Sequence, residues 1–115
     1  AATYEQALQG IEGLSIIDKL PKTSPCYHVY AVRIKNGQRE KLIEYLNNKG
    51  IGINIHYPLT IPRQECYADD YRDKSFPEAD SWAAETLSLP LAPSHSQAEI
   101  NHVCNVVQDF FKKKV

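Results

Sequence analysis

The side chains with chemistry to offer are histidines, cysteines, carboxylates and tyrosines, and their spacing narrows what that chemistry is. His56 stands in the run Ile51, Gly52, Ile53, Asn54, Ile55, His56, Tyr57, where apolar residues alternate with small or polar ones. That pattern predicts a strand over 51–57 with His56 on its polar face, beside Tyr57 and a loop stiffened by Pro58 and Pro62. Strand ends that open into loops are where binding sites are built. The plain alternative is a half-exposed strand histidine bonded to that loop. His28 lies in the apolar run 26–34 and reads as a core histidine. His95, His102 and Cys104 include metal-ligand types, but His102 and Cys104 are two apart on a predicted helix and point to different faces, so no metal site is expected.

Cys104 falls instead on an apolar stripe, as a small core residue. The three cysteines, Cys26, Cys66 and Cys104, are an odd number at long, unequal spacing, which argues against a disulfide framework and for a reducing compartment. Glu65, Asp69, Asp70 and Asp73 gather with Arg63 and Arg72 but lack the ordered spacing and the glycine of a calcium loop. A mixed-charge solvated loop, packed down by Tyr67 and Tyr71, is the expectation there. No G-x-G-x-x-G, P-loop, G-x-S-x-G or C-x-x-C occurs, so dinucleotide, triphosphate, hydrolase-elbow and zinc-ribbon chemistry lose their primary support. No catalytic residue is assigned.

The elements that must position these residues follow from periodicity. Tyr4, Ala7, Leu8 and Ile11 have helical spacing, with Gly10 and Gly13 as a stop, and Leu14 to Ile17 is a brief apolar run. The turn residues 21–25 then divide an N-terminal helix and arm, 1–25, from a main body, 26–115, within a single domain of 115 residues. A strand is predicted over Cys26–Ile34 with both faces largely buried, and a helix follows, capped by Asn36, carrying Leu42, Ile43 and Leu46 and ended by Gly50. Residues 60–75 have no sustained period, and loops of that length tend to be functional. Pro77 opens a helix with Ala79, Trp82, Ala83 and Leu87 on its apolar face, and 87–91 reads as an edge strand. The final helix has the strongest signal: Ser96 and Glu99 form an S-x-x-E capping box ahead of Ile100, Val103, Cys104, Val107, Phe110 and Phe111. Together these predict an α+β domain, a small, mostly antiparallel sheet with helices packed on one side.

Composition excludes several partners. Lys and Arg number 13 against 14 acidic residues, a net charge of −1, and the one basic run, Lys112 to Lys114, reads as a solvated helix end, so no nucleic acid is expected. No apolar stretch approaches the ~18–20 residues of a membrane span, and the first residues have no basic, apolar leader pattern. Cytoplasm is the expected compartment.

The residues also carry a family resemblance. Y-H-V-Y-A-V-R-I (27–34), L-I-E-Y-L (42–46) and G-I-G-I-N-I-H-Y-P (50–58), followed by F-P-E-A-D (76–80), L-S-L-P-L-A-P (87–93) and the closing amphipathic helix, are similar in order and distance to the C-terminal domain of the DegT/DnrJ/StrS family of sugar aminotransferases. The resemblance implies a fold-type I enzyme that uses pyridoxal 5′-phosphate to move an amino group, usually from glutamate, onto a keto sugar attached to a nucleotide. In that family the Schiff-base lysine, the acidic partner of the pyridine nitrogen and most phosphate contacts lie in a larger N-terminal domain. None of those motifs occurs here, so the large domain is expected to lie outside this chain, the chain alone to bind no cofactor, and the chain alone to be inactive. By the same resemblance His56, Tyr57 and Pro58 border the active-site cleft on its sugar side. Gln64 fits the last position of the family's P-x-H-x-Q pattern, in which Pro62 replaces the usual histidine, and His28 matches a histidine of the first strand. The implied partners are the N-terminal domain, the nucleotide sugar, the amino donor and a second copy in a homodimer. A sugar dehydratase of the same scaffold and a free-standing interaction module are the alternatives.

Overall fold

A computed structural model describes residues 1–113, so Lys114 of the basic run lies outside the described residues, while Lys112 and Lys113 close the last helix in solvent. In chain order the elements are α1 (Ala2–Leu8), β1 (Leu14–Ile16), β2 (Tyr30–Ile34), α2 (Arg39–Asn48), a single 3-10 turn (Ile61–Arg63), α3 (Pro77–Glu85), β3 (Thr86–Leu89) and α4 (Gln97–Lys112). The strands form one antiparallel sheet, β1-β2-β3, with Leu14 opposite Ile34, Val32 opposite Leu87 and Tyr30 opposite Leu89.

Register decides which face is the core. Tyr30, Val32 and Ile34 alternate with the less buried Ala31 and Arg33, and their partners Leu87, Leu89 and Leu14 join them on one face. Tyr4 and Leu8 of α1, Leu42 and Leu46 of α2, and Val103, Val107 and Phe110 of α4 close over that face. At about 25 cal/mol per Å² of apolar surface, each of these side chains contributes on the order of 1.5–3 kcal/mol by burial. The α4 cap forms as its sequence requires: the Glu99 N–H donates to Ser96 Oγ, and the Ser96 N–H donates to the Glu99 carboxylate, both at 3.1 Å.

Four expectations change. The N-terminal helix is not set apart from the core: α1 and β1 are built into it, with the Tyr4 hydroxyl donating to the Pro90 carbonyl, while 17–25 run exposed as an arm. The strand expected over 26–34 begins only at Tyr30, because Tyr27 has a φ of 52° and residues 28–29 bend, and only one of its faces is fully buried. His28 is therefore exposed rather than a core histidine. Asn36 is not a cap; Asn36 and Gly37, at φ 60° and 67°, make a tight turn closed from the Gln38 N–H to the Lys35 carbonyl.

The fourth change concerns 51–57, which is not a regular strand. Its N-terminal end is committed to stopping α2: Gly50, at φ 77°, donates to Asn47, and Ile51 donates to Leu46, the two bonds of a Schellman motif. What remains runs along the outer side of β3 and makes one antiparallel bridge, Asn54 to Ser88. That bridge covers β3, all of whose residues are buried, so Thr86–Leu89 is flanked on both sides instead of forming a bare edge.

Candidate functional site

The face of the sheet opposite the core carries Ala31 and Arg33 of β2 and, across from them, Ser88 and Thr86 of β3. Part of it is covered by α3. Arg33 stacks 4.3 Å from the Trp82 ring centroid, donates from Nε to Glu85 at 2.7 Å and from a terminal nitrogen to Ser81 Oγ at 2.9 Å. Lys35 donates to the same Glu85 oxygen at 3.0 Å. Burial alone would push the Glu85 carboxyl upward, but the Lys35 and Arg33 hydrogen bonds and charges outweigh it and hold that group below its ordinary value. Arg39 donates to the Ala83 carbonyl at 2.6 Å, satisfying the end of a helix that passes into β3 with no loop between.

The uncovered remainder of this face opens into two adjoining clefts. The larger, about 340 Å³, is lined by His56, Tyr57, Thr60, Trp82 and Thr86 with Leu59, Ile61, Ala79 and Ala83. The smaller, about 160 Å³, is lined by His28, Val29, Gly52, Ile53, Asn54, His56 and Ser88, among others. His56 belongs to both and stands between them. Its Nδ1 lies 2.9 Å from Ser88 Oγ, and the Tyr57 ring meets it edge-on at 5.3 Å. The peptide joining His56 to Tyr57 is cis. Ser88 is 5% exposed, and its backbone exchanges hydrogen bonds with Asn54 at 2.8 and 3.3 Å.

The loop at the rim is held from below. Gln64 Nε2 donates to the Leu59 carbonyl at 3.1 Å, Thr60 Oγ1 donates to Asp80 at 3.4 Å, and Arg63 lies 3.5 Å from Asp80 and donates to the Lys74 carbonyl at 3.0 Å. Tyr57, Leu59 and Ile61 form an exposed apolar margin, 71%, 52% and 72% accessible. The geometry can therefore bind a ligand with polar and apolar parts: hydrogen-bonding groups at His56 and Thr60, a ring face and methyl groups along α3.

Of the residues singled out from sequence, His56 and Tyr57 line the larger cleft, His28 reaches the smaller one from its exposed bend, and Gln64 lines neither but staples the loop. Thr60, Trp82, Thr86 and Ser88 were missed. Periodicity places Trp82 on the apolar face of its helix, yet no residue of α3 is fully buried. For β3 a signal existed: polar Thr86 and Ser88 alternate with Leu87 and Leu89 at period two, which marks a second, non-core face. Among the described residues no group of His, Cys, Asp or Glu is arranged to hold a metal ion, and no helix is long and apolar enough to cross a membrane.

A sequence model of the DegT/DnrJ/EryC1/StrS aminotransferase family matches residues 1–108. The chain belongs to that family. It is 30% identical over 114 residues to dTDP-3-amino-3,4,6-trideoxy-alpha-D-glucose transaminase of Streptomyces venezuelae, a match covering 98% of this chain and 30% of that protein. It is 33% identical over 104 residues to the erythromycin biosynthesis sensory transduction protein EryC1 of Saccharopolyspora erythraea, covering 90% of this chain and 28% of that one. Among solved structures, S. venezuelae DesV in complex with a ketimine intermediate superposes with a TM-score of 0.90 at 30% identity, over 96% of this chain and 29% of that chain. The aminotransferase TlmJ of Streptoalloteichus hindustanus gives a TM-score of 0.87 at 25% identity, over 99% and 30%. The α+β architecture is thus that of this family of sugar aminotransferases, and the chain spans about 30% of the length of the relatives it matches.

Proposed function

We propose that this chain serves as the C-terminal domain of a pyridoxal 5′-phosphate-dependent aminotransferase acting on nucleotide-linked keto sugars, and that its two clefts shape the sugar side of the active site. The observation that carries this reading is the place of His56, at the junction of both clefts on the face of the sheet that the chain's own core leaves open. A sugar offers hydroxyl and keto oxygens to such a histidine and to Thr60, and its C–H faces to Trp82 and the alanines of α3.

The cofactor's own chemistry needs a lysine within the cleft. Among the described residues no lysine lines either cleft; Lys19 pairs with Glu5, Lys35 with Glu85, and Lys113 donates to the Tyr45 hydroxyl. The described residues of this chain do not fit the imine-forming role, and no step through the cofactor is assigned to them. On this reading the cofactor, its lysine and the amino-donor site belong to the portion of the longer relatives that this chain does not span, and what this chain contributes is binding and orientation.

The test is His56→Asn in the longer enzyme that carries this segment. Asparagine keeps an acceptor near the position of Nδ1 for Ser88 and removes the nitrogen on the far side of the ring. A kcat/KM for the nucleotide sugar reduced about tenfold or more, with an unchanged melting temperature, is the expected result. An unchanged kcat/KM removes His56 from the site and overturns the reading.

A further inference from the structure

The contact between His56 and Ser88 fixes more than the position of a ring. We propose that Ser88 is a positioning residue for His56: its buried hydroxyl donates to Nδ1, holds the proton of the neutral imidazole on Nε2, and so presents a hydrogen-bond donor to the cleft, matched to an acceptor oxygen of the ligand. This rests on the reading of the clefts as the sugar side of the site, and extends it by assigning the sense of the hydrogen bond.

Ser88 is 5% exposed, and the imidazole Nδ1 at 2.9 Å is the partner of its hydroxyl. Two arrangements are possible: the hydroxyl donates to a bare Nδ1, or an Nδ1–H donates to the hydroxyl oxygen. In the second, no other described protein group accepts the serine proton, and a hydroxyl hydrogen bond left unmade at a 5% exposed residue is the costlier outcome. In the first, the hydroxyl is satisfied and the imidazole proton sits on Nε2, which no described protein group engages. The serine cannot drift to relieve the choice. Its backbone is pinned on one side by the register with Ala31 of β2 and on the other by the bridge to Asn54. Tyr57 packs edge-on against the imidazole, so the ring is restrained as well as bonded. Fixing one ring nitrogen by a hydrogen bond is how a protein sets which tautomer of histidine it shows to a ligand.

The experiment is a long-range 1H–15N correlation spectrum of the 115-residue chain labelled at the histidine rings, recorded at about pH 8.5, well above the ordinary histidine range. His56 is assigned by the loss of its signal in His56→Asn. The expected spectrum has a protonated Nε2 and an unprotonated, hydrogen-bonded Nδ1. In Ser88→Ala the Nδ1 signal moves to its value in free histidine, and in Ser88→Thr, which keeps the hydroxyl, it returns. A wild-type spectrum with the proton on Nδ1, or an Nδ1 signal identical in wild type and Ser88→Ala, overturns the proposal; if Ser88→Ala does not fold, the wild-type spectrum alone decides. In the longer enzyme, Ser88→Ala should raise the KM for the nucleotide sugar about fivefold with kcat held within about twofold, and an unaltered KM overturns the link to the ligand. The tautomer is read without any ligand. A spectrum as expected beside an unaffected His56→Asn enzyme would mean that the cleft reading failed and the positioning did not.

Discussion

His28 and His56, in two separate motifs 28 positions apart, show how differently one residue type can be used at the mouth of the same cleft. The apolar run around His28 suggests burial, but the left-handed residue Tyr27 and the bend at 28–29 delay the strand to Tyr30, beyond the histidine, which is set out in solvent at a cleft mouth. Hydrophobic periodicity does not encode a single residue at φ 52°, so the exposure of His28 is not legible in the run around it. His56 was legible because it sits where alternation stops; its partner Ser88 was legible only as half of a polar alternation whose meaning depends on long-range pairing. The cysteines make a prediction at this scale. Cys26 and Cys66 are exposed, whereas Cys104 is buried and burial pushes its thiol upward, away from the reactive thiolate. Under native conditions a maleimide should label Cys26 and Cys66 and spare Cys104, with the third site labelled only after denaturation. Mass mapping that finds Cys104 modified in the native chain would show that α4 opens readily.

At the scale of elements, most local features are legible in the sequence, the Asn36–Gly37 turn excepted, and what is paired across the chain is not. The α4 capping box and stripe need only neighbouring residues, as do the glycine stop after α2 and the proline start of α3. The extent of β2, the single bridge of Asn54 and the burial of β3 are set by register between distant segments, which composition does not encode. Two predictions belong here. Ser96→Ala should cost about 1 kcal/mol, a fall of roughly 4–8 °C in the melting temperature of a domain this size, and a change under 1 °C would mean that the cap is redundant. The junction of α3 with β2 should be sensitive to acid. With its two cationic partners, Glu85 titrates lower folded than unfolded. Its contribution is therefore fully present above the unfolded glutamate value near 4.3 and is lost as pH falls through the lower, folded value. In urea titrations between about pH 5 and 2.5 the wild-type midpoint should drop, and Glu85→Gln should remove part of that slope, Glu5 and Glu99 supplying some of the rest because they too titrate low. An identical slope in the variant would assign the acid response elsewhere.

The whole molecule has one closed face and one open one. Three helices and the buried side of the sheet account for the core, and the remaining face carries the clefts, Trp82 stacked with Arg33, and the apolar margin of Tyr57, Leu59 and Ile61. Side chains as large as these, more than half exposed and close in sequence, are not needed to hold this fold together, because the core cluster does not include them. On the reading proposed above, they are the margin that the rest of the longer enzyme would cover; the chain spans about 30% of the relatives it matches. Replacing Leu59 and Ile61 together by serine separates the two roles such residues could have. If they only margin a surface, the melting temperature should stay within about 4 °C, the two substitutions together being worth under roughly 1 kcal/mol, while binding of a hydrophobic dye to the native chain falls. If instead they support the loop that carries Thr60 and holds the larger cleft open, melting should drop by about 8 °C or more, as the roughly 2–5 kcal/mol of a lost core side chain implies, and dye binding should rise as the loop loosens. The first result is expected, since the loop is tied from beneath by Gln64, Thr60 and Arg63 rather than by its apolar tips.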